Sequence, residues 1–191
     1  MSEHGKKSVG AVVALLAVFV ASVLIARAEP PSEEKLIKDL KEPLHTTVVS
    51  ALSNLEVYYP NSPNSLPAIK KLLTDKRPRI RRKAARVLGA MHADLDPAAL
   101  KDVCNLLKAS DPNEVQDGLQ ALRGLKVPHL VPEIIPFLQH PNEWVVRDAC
   151  RTLGVLGNKD TIPSLEPLLN HPNAAVKKDA QDAVFKLKNK S

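Results

Sequence analysis

The sequence predicts an all-α solenoid of about five stacked two-helix units, of which the first is degenerate. Three observations support this fold class. The chain resembles itself at intervals of 31 to 34 residues, the apolar residues of each interval are spaced as on one side of a helix, and a turn containing proline lies between two such helices. Sequence periods of this length are typical of repeat proteins, in which each unit buries its apolar side against its neighbours.

Four leucines mark equivalent positions in the four regular units. They are Leu73, Leu107, Leu138 and Leu169. In every unit the residues four and seven positions before the leucine are apolar, and those 11, 15 and 18 positions after it are apolar or small. The positions before and at the leucine form one stripe at helical spacing and those after it form another, so each unit is predicted to contain a first and a second amphipathic helix.

The predicted repeat domain covers residues 29–191. Its units span residues of about 33–60, 65–92, 98–125, 129–157 and 160–188. In the first unit Leu40 stands for the marker leucine, while Thr47 replaces an apolar residue, which suits a terminal unit with a more polar outer side. The other positions of the pattern in this unit hold Leu36, Ala51, Leu55 and Tyr58.

The third of the five units, at the centre of the chain, interrupts the pattern. Glu114 stands at an apolar position of the unit at 98–125, and Arg123 stands where two other units have glycine. A small rotation of the second helix would bury Val115 and Leu119 instead. We therefore expect this unit to be irregular.

Turns at the middle of the units contain proline with asparagine or aspartate. They lie at residues 75–78, 110–113, 139–142 and 170–173. Such turns end the first helix and offer an N-cap for the second. The last two turns each contain His-Pro-Asn, with His140 and His171. Neighbouring units place equivalent residues roughly 8 to 10 Å apart, whereas each zinc ligand must lie about 2 Å from the ion. We interpret the histidines as polar helix-end residues, and we predict neither a metal site nor a cofactor.

The N-terminus has the layout of a secretory signal peptide at residues 1–28. The apolar run 9–25 follows two lysines and precedes Ala26-Arg27-Ala28, a small-x-small cleavage site. The sequence therefore predicts an exported protein, periplasmic or secreted. The alternative is an uncleaved membrane anchor formed by residues 9–25, and only in that case is membrane contact expected.

Cys104 and Cys150 are the only cysteines. Two cysteines at this separation have no metal-ligand spacing and form no disulfide framework, and whether they pair with each other is left open. Both stand at the margin of an apolar stripe. We interpret them as buried small hydrophobic residues.

The stretch 146–157 with its continuation 158–163 resembles the second helix, glycine stop and next-unit start of a HEAT repeat. The likeness extends over about residues 33–188 and is strongest to the short bacterial HEAT-like repeats, which also occur in phycobilin lyases. It implies a superhelix whose second helices line the concave surface. It also implies that Pro136 and Pro167 kink their first helices, but it says almost nothing about chemistry.

The strongest departure from average composition is basic. Residues 70–86 contain nine lysines and arginines and a single acid, Asp75. Of these cations, Arg79, Arg82, Lys83 and Arg86 are predicted to share the outward side of a second helix. Arg82, Arg147 and Lys178 recur at equivalent positions in three units, which indicates a cationic ladder along the concave surface.

The basic ladder has a structural interpretation as well. In two units the neighbouring Asp148 and Asp179 could neutralise it. The unit at 65–92 lacks such an acid, so there we favour a binding surface for an acidic partner. Trp144 begins a second helix and is predicted to pack into the seam between units; the alternative is an exposed interface anchor.

These observations predict an exported, non-enzymatic scaffold or adaptor for protein–protein interaction. The chain has no glycine-rich phosphate loop, Gly-x-Ser-x-Gly or paired histidines at helix spacing. The predicted partner-binding residues are Arg79, Arg82, Lys83, Arg86, Arg147, Lys178 and Trp144. A HEAT-like lyase is one alternative, and a polyanion-binding protein is another. Nucleic acid is disfavoured by a net charge of only +6 and few aromatic residues. The oligomeric state is not indicated.

Overall fold

The computed structural model describes residues 29–190, and all the secondary structure in this range is helical. The predicted signal peptide and its alternative, a membrane anchor, lie outside these residues. The ten α-helices are α1 (Glu33–Asp39), α2 (His45–Tyr58), α3 (Leu66–Lys71), α4 (Pro78–Ala90), α5 (Pro97–Asn105), α6 (Pro112–Leu125), α7 (Val131–Ile134), α8 (Glu143–Leu156), α9 (Ile162–Leu165) and α10 (Ala174–Lys188). The prediction of an all-α fold is thus confirmed. None of the helices between residues 29 and 190 combines the length and apolar composition of a membrane span.

The helices alternate between a first helix and a second helix along the chain. The second helices pack in series, α2 on α4, α4 on α6, α6 on α8 and α8 on α10. The predicted apolar stripes lie in the shared core, which includes Leu36, Ile69, Ile80, Leu88, Leu122, Ile134, Leu153, Leu165 and Leu187, all fully buried. Each unit therefore buries its apolar side against its own partner helix and the neighbouring units.

The first helices are short and tighten into 3₁₀ turns. The turns span Leu72–Thr74, Leu106–Lys108, Ile135–Gln139 and Glu166–Asn170, after α3, α5, α7 and α9. Pro136 and Pro167 lie inside the last two. Because proline has no N–H to donate to the carbonyl four residues earlier, 3₁₀ geometry accommodates it where a regular α-helix does not.

Acidic and amide side chains cap three of the second helices, as the turn sequences predicted. Asp111 accepts a hydrogen bond from the backbone N–H of Asn113 at 2.9 Å. Asn142 accepts one from Trp144 at 2.9 Å, and Asn173 accepts one from Ala175 at 2.8 Å. These caps satisfy N–H groups that have no partner within the helix.

The irregular third unit buries Val115 and Leu119, as predicted. They replace Glu114 on the core side of α6. The Glu114 carboxylate is buried too, and the Nη2 atom of Arg81 in the preceding unit donates to both of its oxygens, at 2.9 and 3.0 Å. A buried charge with an arginine partner is tolerated where an unpaired one is not.

The first unit follows the prediction except at its end. Leu36, Leu40, Ala51 and Leu55 are buried. Tyr58 was expected on the apolar stripe, but half of its surface is exposed. This expectation was wrong because α2 ends at Tyr58 and the next residue, Tyr59, packs against the core instead.

Glycines allow the second helices to approach one another closely. A methyl group at Gly89 would lie 2.8 Å from the Cα of Ala121, and one at Gly124 would overlap the backbone of Gly89. One at Gly154 would lie 2.9 Å from the Cα of Ala183.

Candidate partner-binding face

The predicted partner-binding residues all lie on three second helices. Arg79, Arg82, Lys83 and Arg86 are on α4, Trp144 and Arg147 are on α8, and Lys178 is on α10. We call the outward surface of α2, α4, α6, α8 and α10 the second-helix face.

Acids of neighbouring units neutralise much of the basic cluster on α4. The Arg82 Nε donates to the Asp117 carboxylate on α6 at 2.5 Å, and the Lys83 Nζ donates to Glu56 on α2 at 2.8 Å. The unit itself has no acid equivalent to Asp148 and Asp179, as the sequence indicated, but the expectation that its cations are left without neutralising acids was wrong for Arg82 and Lys83. The acids are supplied across the seams by residues 27 and 35 positions away in sequence.

The predicted cationic ladder is a ladder of ion pairs between units. The buried Asp179 on α10 accepts from the Nε of Arg147 at 2.7 Å and from the Nε of Arg151 at 3.0 Å. Asp117 stands at the equivalent position of its unit and binds Arg82 in the same way. Each of these acids is thus held by arginine from the preceding unit, which ties successive second helices together.

Asp148 is the third acid at this position, and it is bound more loosely. Gln120 donates to it at 3.3 Å, while the Nη1 atoms of Arg123 and Arg151 each lie 3.8 Å from its Oδ1. Burial raises the pKa of the Asp148 carboxyl above its ordinary value, against the hydrogen bond from Gln120 and the nearby arginines. Burial likewise lowers the pKa of Arg123.

Trp144 lies on the surface and not in the seam. Its side chain is 61% exposed, whereas the adjacent Val145 is fully buried. The prediction of seam packing was wrong because Val145 and Val146 take the core side of the first turn of α8, so position 144 faces outward. The Arg147 guanidinium lies 4.7 Å from the centre of the Trp144 ring, in a cation–π contact.

Two of the predicted cations are exposed and form no ion pair among residues 29–190. These are Arg79 on α4 and Lys178 on α10. Lys178 occupies the ladder position of the last described unit. The seven predicted residues therefore fall into two groups. Arg82, Lys83 and Arg147 form ion pairs within the solenoid, and Arg79, Trp144 and Lys178 are exposed. Arg86 is intermediate, because it is exposed and lies 3.7 Å from Asp117.

A shallow groove that the sequence analysis missed crosses the last two turns of the second helices. Two recesses of about 430 and 290 Å³ meet at Arg123 and Val155. Their floor includes the glycines at 89, 124 and 154, and their walls include Arg86, Arg151 and Lys186. The glycines were visible in the sequence, but the cations escaped notice because they stand at unequal positions of the repeat.

The two histidines have the same local role. The Nδ1 atom of His140 accepts from the backbone N–H of Asn142 at 3.0 Å, and that of His171 accepts from Asn173 at 3.1 Å. Each side chain therefore closes its own turn. Among the described residues, no group of three or more His, Cys, Asp or Glu could hold a metal ion.

Both cysteines are free thiols. Cys150 is fully buried, and burial raises its pKa to about 12. Cys104 is half-buried, and burial raises its pKa as well. Neither thiol is placed to act as a thiolate nucleophile at neutral pH.

Comparisons with known proteins agree with this architecture. The family model for HEAT repeats matches residues 33–123 and 118–184. The fold is similar to a chain in the complex of CpcE and CpcF of phycocyanin lyase from Nostoc sp., with a TM-score of 0.73 and 23% identity over 86% of this chain and 68% of that one.

Designed proteins resemble the fold too. An engineered protein matches with a TM-score of 0.62 and 18% identity, over 81% of this chain and 78% of that one. A designed armadillo repeat protein matches with a TM-score of 0.57 and 18% identity, over 80% of each chain. The predicted solenoid fold is confirmed. Comparison with curated proteins gives no match.

Proposed function

Because the chain belongs to the HEAT repeat family, we propose that it is a non-enzymatic scaffold that binds the acidic surface of a partner protein through its second-helix face. One observation carries the proposal. After the internal ion pairs are counted, this face still presents the exposed Arg79 and Lys178 and an exposed tryptophan, and tryptophan and arginine are among the residue types that dominate the energetics of protein interfaces.

The anchor of the proposed interface is Trp144 with Arg147. Arg147 is fixed by Asp179, so its guanidinium holds the indole ring without a large loss of side-chain freedom on binding. Arg79 and Lys178 lie exposed on α4 and α10, on either side of α8 in the helix order. A face that carries an apolar anchor and exposed positive charge fits a partner surface that combines an apolar contact with acids.

Site-specific photocrosslinking tests the scaffold function. A photoreactive amino acid replaces Trp144, and a matched control replaces Lys101, an exposed residue of the first helix α5. We expect protein adducts from position 144 that Arg79→Glu with Lys178→Glu weakens, and none from position 101. Equal adduct patterns at the two positions would contradict the proposal. Retention on DNA that moderate salt abolishes, with no protein adduct, would favour the polyanion-binding alternative.

The second candidate function is that of a lyase subunit, favoured by the likeness to the phycocyanin lyase chain. That likeness is one of fold at 23% identity, and one fold serves many functions. The lyase activity belongs to the CpcE–CpcF complex that carries this name, and we do not transfer it to this chain.

Export is part of the proposal, on the strength of the apolar run and cleavage site at the N-terminus. Cell fractionation followed by N-terminal sequencing of the mature protein tests it. We expect a chain that begins at Glu29 in the exported fraction. An intact Met1 in the cytosolic fraction would refute export, and an intact Met1 in the membrane fraction would favour the anchor.

A further inference from the structure

The groove over the glycines is lined by one cation from each of four consecutive second helices. They are Arg86 on α4, Arg123 on α6, Arg151 on α8 and Lys186 on α10. All four lie within the last two turns of their helices, near the C-terminal ends, although not at equivalent positions of the repeat. Neighbouring packed helices are roughly 8 to 10 Å apart, so each step from helix to helix advances the series of cations by about that distance along the stack.

Arg123 at the centre of the groove is the least satisfied of these cations. It makes no hydrogen bond with any described residue, and its Nη1 atom is buried without an acceptor. Its nearest carboxylate, Asp148, is 3.8 Å away. A buried guanidinium nitrogen without an acceptor costs free energy, so a carboxylate brought into the groove would stabilise the site as well as the complex.

Arg86 is also available to a ligand. Its side chain is 53% exposed, and its Nε lies 3.7 Å from Asp117, beyond hydrogen-bond distance. Arg151 is 42% exposed, although its Nε binds Asp179. The acids at the groove are Glu56, which binds Lys83, and Asp179 and Asp182 on α10. Because Asp182 lies four residues before Lys186, the excess positive charge is centred on α4, α6 and α8.

The two recesses form one continuous groove. They share Arg123 and Val155, and their linings include Gly89, Gly124 and Gly154. The missing side chains of these glycines serve the packing of the second helices, because a methyl group at each would lie within 3 Å of the neighbouring helix.

We propose that this groove binds an acidic segment of the partner protein in polyproline II conformation, with a carboxylate at every third residue. The match is geometric. A polyproline II helix repeats every three residues, and each turn advances about 9 Å, which equals the spacing of the second helices. In a β-strand, acids at every third residue would lie on alternating sides of the strand and could not all face the groove. Four cations and three intervals correspond to a segment of about ten residues.

The inference rests on the proposed function, since it specifies which part of the second-helix face holds the acidic ligand. The probe is a fluorescent proline-rich peptide with glutamate at every third position. A control peptide has the same composition, with its glutamates adjacent to one another. We expect the spaced peptide to bind the full-length protein at least about fivefold more tightly than the control, with the affinity falling as salt rises.

Two variants assign the binding to the groove. Arg123→Gln and Arg86→Gln should each weaken the spaced peptide about tenfold, while the matched control Arg79→Gln, an exposed arginine of α4 outside the groove, should change it less than twofold. Circular dichroism verifies that each variant is folded, and Arg86→Gln retains the test if Arg123→Gln does not fold.

Three outcomes would overturn the inference. The first is no binding of the spaced peptide, and the second is equal binding of the two peptides. The third is displacement of the fluorescent spaced peptide by duplex DNA of equal charge as effectively as by the unlabelled peptide. None of these results depends on crosslinking at position 144, so the proposed scaffold function stands or falls separately.

Discussion

Asp179→Asn tests the claim that ion pairs between units hold the solenoid together. The substitution keeps the shape of the side chain and removes its charge, and it weakens two charge-assisted hydrogen bonds, of 2.7 Å from Arg147 and 3.0 Å from Arg151. Hydrogen bonds to charged groups contribute about 1.5 to 3 kcal/mol each. The 42% exposure of Arg151 allows it to return to water, which reduces its share.

We therefore expect Asp179→Asn to lower the free energy of unfolding by about 2 kcal/mol. For a domain of this size that corresponds to a melting temperature lower by about 4 to 8 °C. Urea unfolding followed by circular dichroism measures the first quantity, and a thermal scan measures the second. Asp182→Asn, an exposed acid on the same helix, is the control and should stay within about 0.5 kcal/mol of the parent. A loss no larger for Asp179→Asn than for this control would refute the reasoning.

Three further substitutions or modifications separate other features of the structure. Because burial raises the pKa of Asp148, the charged form of its side chain opposes folding. Asp148→Asn should therefore change the free energy of unfolding by less than about 1 kcal/mol at pH 7. As the pH falls through the raised pKa toward the ordinary carboxyl range, the parent protein should become more stable relative to the variant. Urea unfolding at pH 7 and pH 5 measures both, and a loss like that of Asp179→Asn would contradict it. Gly124→Ala should destabilise the protein by about 2 kcal/mol despite the better helix propensity of alanine, because the new methyl group overlaps the neighbouring helix. The difference between Gln181→Gly and Gln181→Ala, at an exposed position inside α10, calibrates propensity alone at about 1 kcal/mol. An unchanged or more stable Gly124→Ala would show that the helices are not in contact there. With a pKa of about 12, Cys150 is a thiolate in only about one molecule in ten thousand at pH 8. Maleimide should therefore label Cys104 slowly in the folded protein and Cys150 only after unfolding. Rapid labelling of Cys150 in the native protein would show that it is not buried.

The fold was predictable because its signal is local. A helix presents every third or fourth residue to one side, so the spacing of Ile69, Ile80 and Leu88 identified two helices and their buried sides from the sequence alone. The burial of Val115 and Leu119 on α6 was predictable for the same reason, since these two residues offered a better apolar stripe than Glu114.

The site was less predictable because its contacts join different units. Arg82 and Asp117 are 35 positions apart in sequence, and their pairing depends on the separation and rotation of two helices, which no local pattern contains. Trp144 was misplaced because burial in the first turn of a helix changes completely between adjacent positions, here 61% exposed against fully buried. The groove was missed because its arginines share a surface without sharing a position in the repeat.

Amide chemical-shift mapping of the isotopically labelled protein, titrated with the glutamate-spaced peptide, tests the central claim most directly, because it locates the contact without assuming any residue. We expect the largest changes in amide chemical shift in the last two turns of α4, α6 and α8, around Arg86, Arg123 and Arg151. The amides of the first helices α3 and α5 should be unaffected. Largest changes on the first helices, or no changes at a peptide concentration that saturates the fluorescence signal, would contradict it.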